Sequence, residues 1–205
     1  MHEYTYNASG NLVNSGTSDI GGHSFTYNPQ SQITSVDSAS TYTYNGMDER
    51  AFKQMPASWT EYIYFGGQPL AEYDNTHVWT DYIYAGGQKI ARIATPSGGS
   101  ATVNYYLSDH LGITQVGLDS SGTVLWQGQF TPFGQELDTD PTTMHYKFTD
   151  KERVQETGLD YFGARFYMST IGRWTAPGLG REAGGCAIFT IRQTTELKSL
   201  WLRRK

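Results

Sequence analysis

Along the first half of the chain, aromatic and small polar residues alternate in short bursts. The bursts are Tyr4-Thr5-Tyr6-Asn7, Phe25-Thr26-Tyr27-Asn28, Tyr42-Thr43-Tyr44-Asn45, Tyr62-Ile63-Tyr64 and Tyr82-Ile83-Tyr84, with Tyr105-Tyr106 as a looser sixth. Residues two apart face the same side of a strand, so each burst predicts a β-strand with two rings on one face and Thr or Ile on the other. Turn formers follow each burst, as in Asn7-Ala8-Ser9-Gly10-Asn11, Asn28-Pro29-Gln30-Ser31 and Gly66-Gly67-Gln68. Leu12-Val13, Ile33-Thr34-Ser35-Val36, Pro69-Leu70-Ala71 and Lys89-Ile90-Ala91 then supply returning strands. Second tyrosines are 21, 17, 20 and 20 residues apart, so the repeating unit is one β-hairpin. A lone hairpin is marginal in water, and stability has to come from stacking hairpins edge to edge with the tyrosines laddered on one face. A buried tyrosine hides roughly 150–250 Å² and needs a partner for its hydroxyl.

Beyond residue 100 the pattern loosens. Gly98-Gly99-Ser100 and Asp119-Ser120-Ser121-Gly122 read as hairpin turns, because no strand-to-helix pattern of a phosphate loop follows either. In Phe130-Thr131-Pro132-Phe133-Gly134, Pro132 cannot donate to a ladder and Gly134 permits unusual dihedrals, so a bend off the regular sheet is expected. Phe148 to Thr157 is charged and poor in glycine, which predicts one or two helical turns ended by Gly158. Phe133, Phe148, Tyr161, Phe162, Phe166, Tyr167 and Trp174 are then expected to bury against the tyrosine wall as an inward-turning cap. The fold class is all-β: stacked antiparallel β-hairpins with a short mixed cap segment.

Charge divides the chain more sharply than hydropathy does. Residues 1–177 hold nine Lys/Arg against eighteen Asp/Glu, whereas 178–205 hold six against two. All fifteen tyrosines lie at or before Tyr167, and the tail carries the single cysteine, Cys186, and the basic end Arg203-Arg204-Lys205. One cysteine excludes an internal disulfide framework and a cysteine-cluster zinc site. The net charge of −5 disfavours nucleic acid as a partner, and no apolar run reaches the length of a membrane span. His2, His23, His77 and His145 have no metal-site spacing, and no cofactor is expected. Ser108-Asp109-His110 invites a hydrolase reading, but a triad is assembled from separated segments, so these neighbours read as a turn. Asp109 would accept backbone amides there and Gly112 would take the positive φ.

The downstream blocks resemble the Rhs/YD-repeat family, which includes animal teneurin-like shells. Asn104-Tyr105-Tyr106-Leu107-Ser108-Asp109-His110-Leu111-Gly112-Ile113-Thr114 is similar to the family's YY-x-x-DHLGS-T signature, and Pro132-Phe133-Gly134 to its PFG element. Phe148-Thr149-Asp150-Lys151-Glu152, the run from Glu156 through Gly158, Gly163 and Arg165 to Tyr167, and Gly172-Arg173-Trp174 follow in family order. The resemblance covers residues 3–177 and implies YD repeats over 3–100, a repeat-associated core segment over 101–177 and a divergent basic tail over 178–205. Asp150 stands where the family usually has glycine, and Gly178 where it has an aspartate.

What the resemblance implies is a structural role in a hollow β-shell, in bacterial members one that encloses a C-terminal toxin. The expected partners are the rest of a longer shell or such a toxin domain, and the expected location, secreted or cell surface, comes from the family alone. About ten strands spaced ~4.8 Å apart advance only about 50 Å, too little to enclose a domain. The change of pattern at Gly178 is what a frameshift or truncation would produce. Family members can cleave themselves by an aspartyl mechanism, which needs two carboxylates sharing a proton. Arg165 matches an arginine of that site, but the first aspartate falls at Gly178, so no enzyme activity is expected. A carbohydrate- or choline-binding repeat is the other reading of an aromatic repeat near twenty residues. The five tryptophans, however, form no series through the repeats: only Trp59 and Trp79 share a repeat position.

Overall fold

The computed structural model describes residues 3–16, 21–137 and 144–178. The expected basic tail after Gly178 lies outside the described residues. A leading hairpin pairs β1 (Thr5–Tyr6) with β2 (Leu12–Asn14). It continues, through an Asn14–Ser24 bridge, into an eleven-stranded antiparallel meander. Its strands are β3 (Phe25–Tyr27), β4 (Ile33–Val36), β5 (Ser40–Tyr44), β6 (Arg50–Gln54), β7 (Trp59–Phe65) and β8 (Gln68–Asp74), followed by β9 (Val78–Ala85), β10 (Gln88–Pro96), β11 (Thr102–Ser108), β12 (Thr114–Asp119) and β13 (Val124–Gln127). Every strand pairs with its sequence neighbours, as stacked hairpins require. The line expected at residues 100/101 falls at the β10–β11 turn of this one sheet.

The hairpins share two devices. In the first, an Asn or Asp side chain closes a five-residue turn: Asn7, Asn28, Asn45, Asp109 and Asp119 each accept, through Oδ1, the amides two and four residues on, at 2.8–3.1 Å. The fourth residue of each turn takes positive φ, for example Gly112 at +75° and Gly122 at +85°. Hairpins β7–β8 and β9–β10 use Gly66-Gly67 and Gly86-Gly87 instead, all at positive φ, the dihedrals of a tight two-residue hairpin turn.

The second device is a bulge beside the second aromatic. Register shifts by one residue next to Tyr6, Tyr27, Tyr44, Tyr64 and Tyr84, and next to Ser108, which occupies that place in the sixth hairpin. The facing residues on the returning strands are Leu12, Ile33, Arg50, Pro69, Lys89 and Thr114. A bulge turns the local side chains and sharpens the twist. Here it faces these six residues to the tyrosine side, and all but half-buried Pro69 are buried. The looser sixth copy is thereby resolved: Tyr106 is buried in the position of Tyr42, Tyr62 and Tyr82, while Tyr105 points outward and is 44% exposed.

The cap folds as a four-stranded sheet of β14 (Glu152–Arg153), β15 (Asp160–Tyr161), β16 (Phe166–Met168) and β17 (Arg173–Trp174). The helix expected over Phe148 to Thr157 is therefore a correction. Only a 3-10 turn forms at Phe148–Asp150, with Thr149 and Asp150 at φ +50° and +56°, dihedrals from which a right-handed helix cannot propagate. The chain then extends because Glu152 and Arg153 find ionic partners on opposite sides, a period of two. Phe148, Tyr161 and Phe166 are buried and Phe162, Tyr167 and Trp174 half-buried, but Phe133 is 53% exposed. It sits at a turn tip, with its ring resting beside Gly172.

Candidate functional site

The chemically unusual part of the molecule is the interface between wall and cap. First-position tyrosines bury their rings there, and two send hydroxyls to cap carboxylates: Tyr42 donates to Glu156 at 2.8 Å and Tyr62 to Glu152 at 3.2 Å. Second-position tyrosines bond backward along the sheet, Tyr27 to the carbonyl of Leu12 (2.7 Å), Tyr44 to Ile33 (2.6 Å) and Tyr84 to Pro69 (2.8 Å). Hydroxyls that would be costly unpaired thus tie three of the hairpins to the one before. Burial pushes the Tyr42, Tyr62 and Tyr82 phenols well above the usual range.

Two of the six bulge positions carry cations. Arg50 is fully buried, and Nη2 makes a short hydrogen bond to Glu152. Its guanidinium lies 5.2, 4.6 and 4.5 Å from the ring centres of Tyr42, Tyr62 and Tyr161. Charge and planar faces are both used, as arginine permits and lysine does not. The Tyr161 hydroxyl also accepts the Arg50 amide at 2.6 Å. Burial alone would push the Glu152 carboxyl up; Arg50, with Lys53 3.3 Å away, outweighs it and holds that carboxyl at about 2. Lys89, two hairpins on, meets Asp150 at 3.1 Å and packs on Tyr82 and Tyr146.

One further wall-to-cap contact reverses the signs, and two more ion pairs brace the cap itself. Wall residue Glu72 accepts from Tyr146 (2.7 Å) and pairs with His145 (3.3 Å). Burial raises the Glu72 carboxyl, but His145 and the Tyr146 hydroxyl together offset it and the net direction is down. At the foot of the cap Lys147 bonds both oxygens of Glu136 (2.8 and 2.9 Å) and sits 5.0 Å from the Trp126 ring centre. Arg153 grips Asp160 at 2.6 and 3.0 Å, yet burial still lifts that carboxyl to about 6.

The residues singled out in the sequence mostly build turns around this interface. Asp109 caps its turn with amides of Leu111 and Ile113, His110 is exposed at the tip and Leu111 half-buried. Thr131-Pro132-Phe133-Gly134-Gln135 is a variant of the same turn: Thr131 Oγ1 accepts the Gln135 amide at 3.1 Å, and Phe130 bridges Glu136. The expected bend is thus a small hairpin. Gly134 has φ +87°, a Cβ there would lie 2.5 Å from the Phe148 ring, and its carbonyl accepts from Arg153 at 2.8 Å. Gly158, Gly163 and Gly172 take positive φ in the cap turns. Arg165 lies 4.3 Å from the Trp174 ring centre, and Arg173 is exposed.

These residues do not converge on a reacting centre. Among the described residues no cluster of three His, Cys, Asp or Glu could hold a metal, and no helix is long and apolar enough to cross a membrane. Sequence reasoning missed Arg50, Glu72, Lys89, His145 and Glu152. Arg50 and Lys89 face inward because the register shift sets them opposite the second tyrosine of a burst, a placement that appears only once the two strands are paired.

The fold, a long antiparallel meander of hairpins closed by a small four-stranded sheet, is shared with a segment of TcdB2-TccC3. The chain is similar to TcdB2-TccC3-Cdc42, with a TM-score of 0.68 at 20% identity over 88% of this chain. It is also similar to TcdB2-TccC3 without its hypervariable C-terminal region (0.64, 21%, 87%) and to a Tc holotoxin pore of Photorhabdus luminescens carrying a substitution in TccC3 (0.63, 20%, 87%). In all three the chain spans 10% of the matched chain's length. No family model matches, and no curated protein matches in sequence.

Proposed function

We propose that this chain is a non-enzymatic wall-and-cap segment of a secreted or cell-surface shell. Its partners are the neighbouring turns of a longer Rhs/YD wall and the C-terminal toxin cargo such a wall encloses. The observation that carries this reading is the cap's packing along the tyrosine face through buried ion pairs to successive hairpins, on a fold shared with TcdB2-TccC3. A surface built to hold a piece of its own chain so firmly suits closing a wall better than turning over a substrate.

Replacing the matched segment of TcdB2-TccC3 with residues 3–178 tests the role. A closed shell in electron micrographs, with its interior protected from added protease, is expected; an open, protease-sensitive shell rejects it. For the absence of catalysis, the purified protein is incubated and followed by mass. No C-terminal peptide is expected to appear with time, and a release abolished by Arg165→Ala would establish an autoprotease instead.

A further inference from the structure

The two buried cations of the wall meet cap carboxylates in different chemical situations. The charge of Arg50 is spread over a plane that three rings and Glu152 take up. Lys89 presents a primary amine, a nucleophile once neutral. Its Nζ stands 3.1 Å from Asp150 Oδ1 with the side chain 1% exposed. The Tyr146 and Tyr82 ring centres, 3.1 and 4.6 Å from Nζ, close the space around it. Asp150 is held by a tight turn in which Lys147 and Lys151 exchange a backbone bond of 3.0 Å and Lys151 bonds back to Phe148. Amine and carboxyl thus come from opposite sides of the interface on ordered backbone.

Groups oriented within one fold react as though each were present at about 10⁵–10⁸ M, and the Asp150 Cγ that the amine must reach is bonded to the Oδ1 that Nζ meets at 3.1 Å. Burying the Lys89 ammonium carries a desolvation cost, whereas an amide carries no charge to desolvate. Burial, only partly opposed by Asp150, brings the Lys89 amine down to about 8, so its neutral form is accessible near neutral pH.

We propose that Lys89 and Asp150 condense to an isopeptide bond joining wall to cap. One proton passes from the ammonium to the carboxylate, giving amine and carboxylic acid. The Nζ lone pair adds to Cγ, the Nζ–Cγ bond forms, and the Cγ–O bond breaks. The departing hydroxyl takes a proton from nitrogen and leaves as water. No oxidant, metal or cofactor enters the balance.

The test is the mass of the intact, folded protein. Most molecules are expected to be lighter by one water, and proteolysis should yield the Lys89 peptide covalently joined to the Asp150 peptide. Lys89→Arg keeps the charge, removes the reacting amine and should restore the full mass. A succinimide at Asp150 also loses water, but it leaves the peptides separate and persists in Lys89→Arg. That outcome, or an unchanged mass after prolonged incubation of the folded protein, overturns the proposal. Neither result bears on whether the chain closes a shell.

Discussion

Wall and cap reach order by opposite routes. The wall repeats one local solution: aromatic pair, five-residue or two-glycine turn, bulge, return strand, each step within about twenty residues of chain. The cap has two- and three-residue strands and little local repetition. It is placed by distant partners, Glu152 by Arg50, Asp150 by Lys89, and Thr175 by Leu12, whose amide donates to the Thr175 carbonyl at 2.7 Å. Contacts that depend on the whole wall stand in for an independent core.

The strongest way to break this contrast is Arg50→Met, which leaves Glu152 buried without its main counter-charge. A loss of about 3–5 kcal/mol is expected in denaturant unfolding, with the cap becoming protease-sensitive before the wall. Acid should do the same reversibly. The Glu152 carboxyl is held at about 2, below its unfolded value near 4.5, so its contribution is complete above that value and lost as pH falls toward 2. Asp160 has the opposite sign: lifted to about 6, it favours the folded state most below its unfolded value, and that benefit disappears as pH rises through 6. Cap-specific amide exchange across this range checks both directions, and an acid response confined to the wall would contradict the assignment.

Gly134→Ala probes the seam itself. The new methyl meets the Phe148 ring and the φ of +87° is strained for alanine, so about 1–3 kcal/mol should be lost, read as a fall in the unfolding midpoint. Asn45→Ala touches only the wall and leaves two turn amides to water, for an expected loss of about 1 kcal/mol with cap protection unchanged. Tyr105→Thr, on the outer face, should fall within about 0.5 kcal/mol of the parent. If Asn45→Ala instead loosened the cap as much as Arg50→Met, the division between local wall and long-range cap would be wrong.

The same division explains what could be read from sequence. Strand bursts, returning strands and the Asp109 turn were legible because period and turn chemistry are local. The bulge was not, since a one-residue slip beside each second tyrosine is visible only when two strands are paired. With it went the direction of Arg50 and Lys89, which otherwise look like ordinary surface charges. The helix expected after Phe148 failed for a related reason: the charges of that segment answer to Arg50, Lys89 and Asp160 rather than to neighbours along a helix face. Asp150, where the resemblance calls for glycine, takes a positive φ and has Lys89 as its partner.

A meander pulled from its ends opens like a zipper, since each hairpin can peel away against only the few bonds of one strand. The cap changes the mechanics. It is fastened to β2 through Thr175, to β6 through Glu152, to β8 through Tyr146, to β10 through Asp150 and to β12 through Lys147, whose carbonyl accepts the Thr114 amide at 3.0 Å. Tension entering at either edge is therefore shared by five strands at once, and a sheet that would unravel piecemeal yields only when the whole fastening shears.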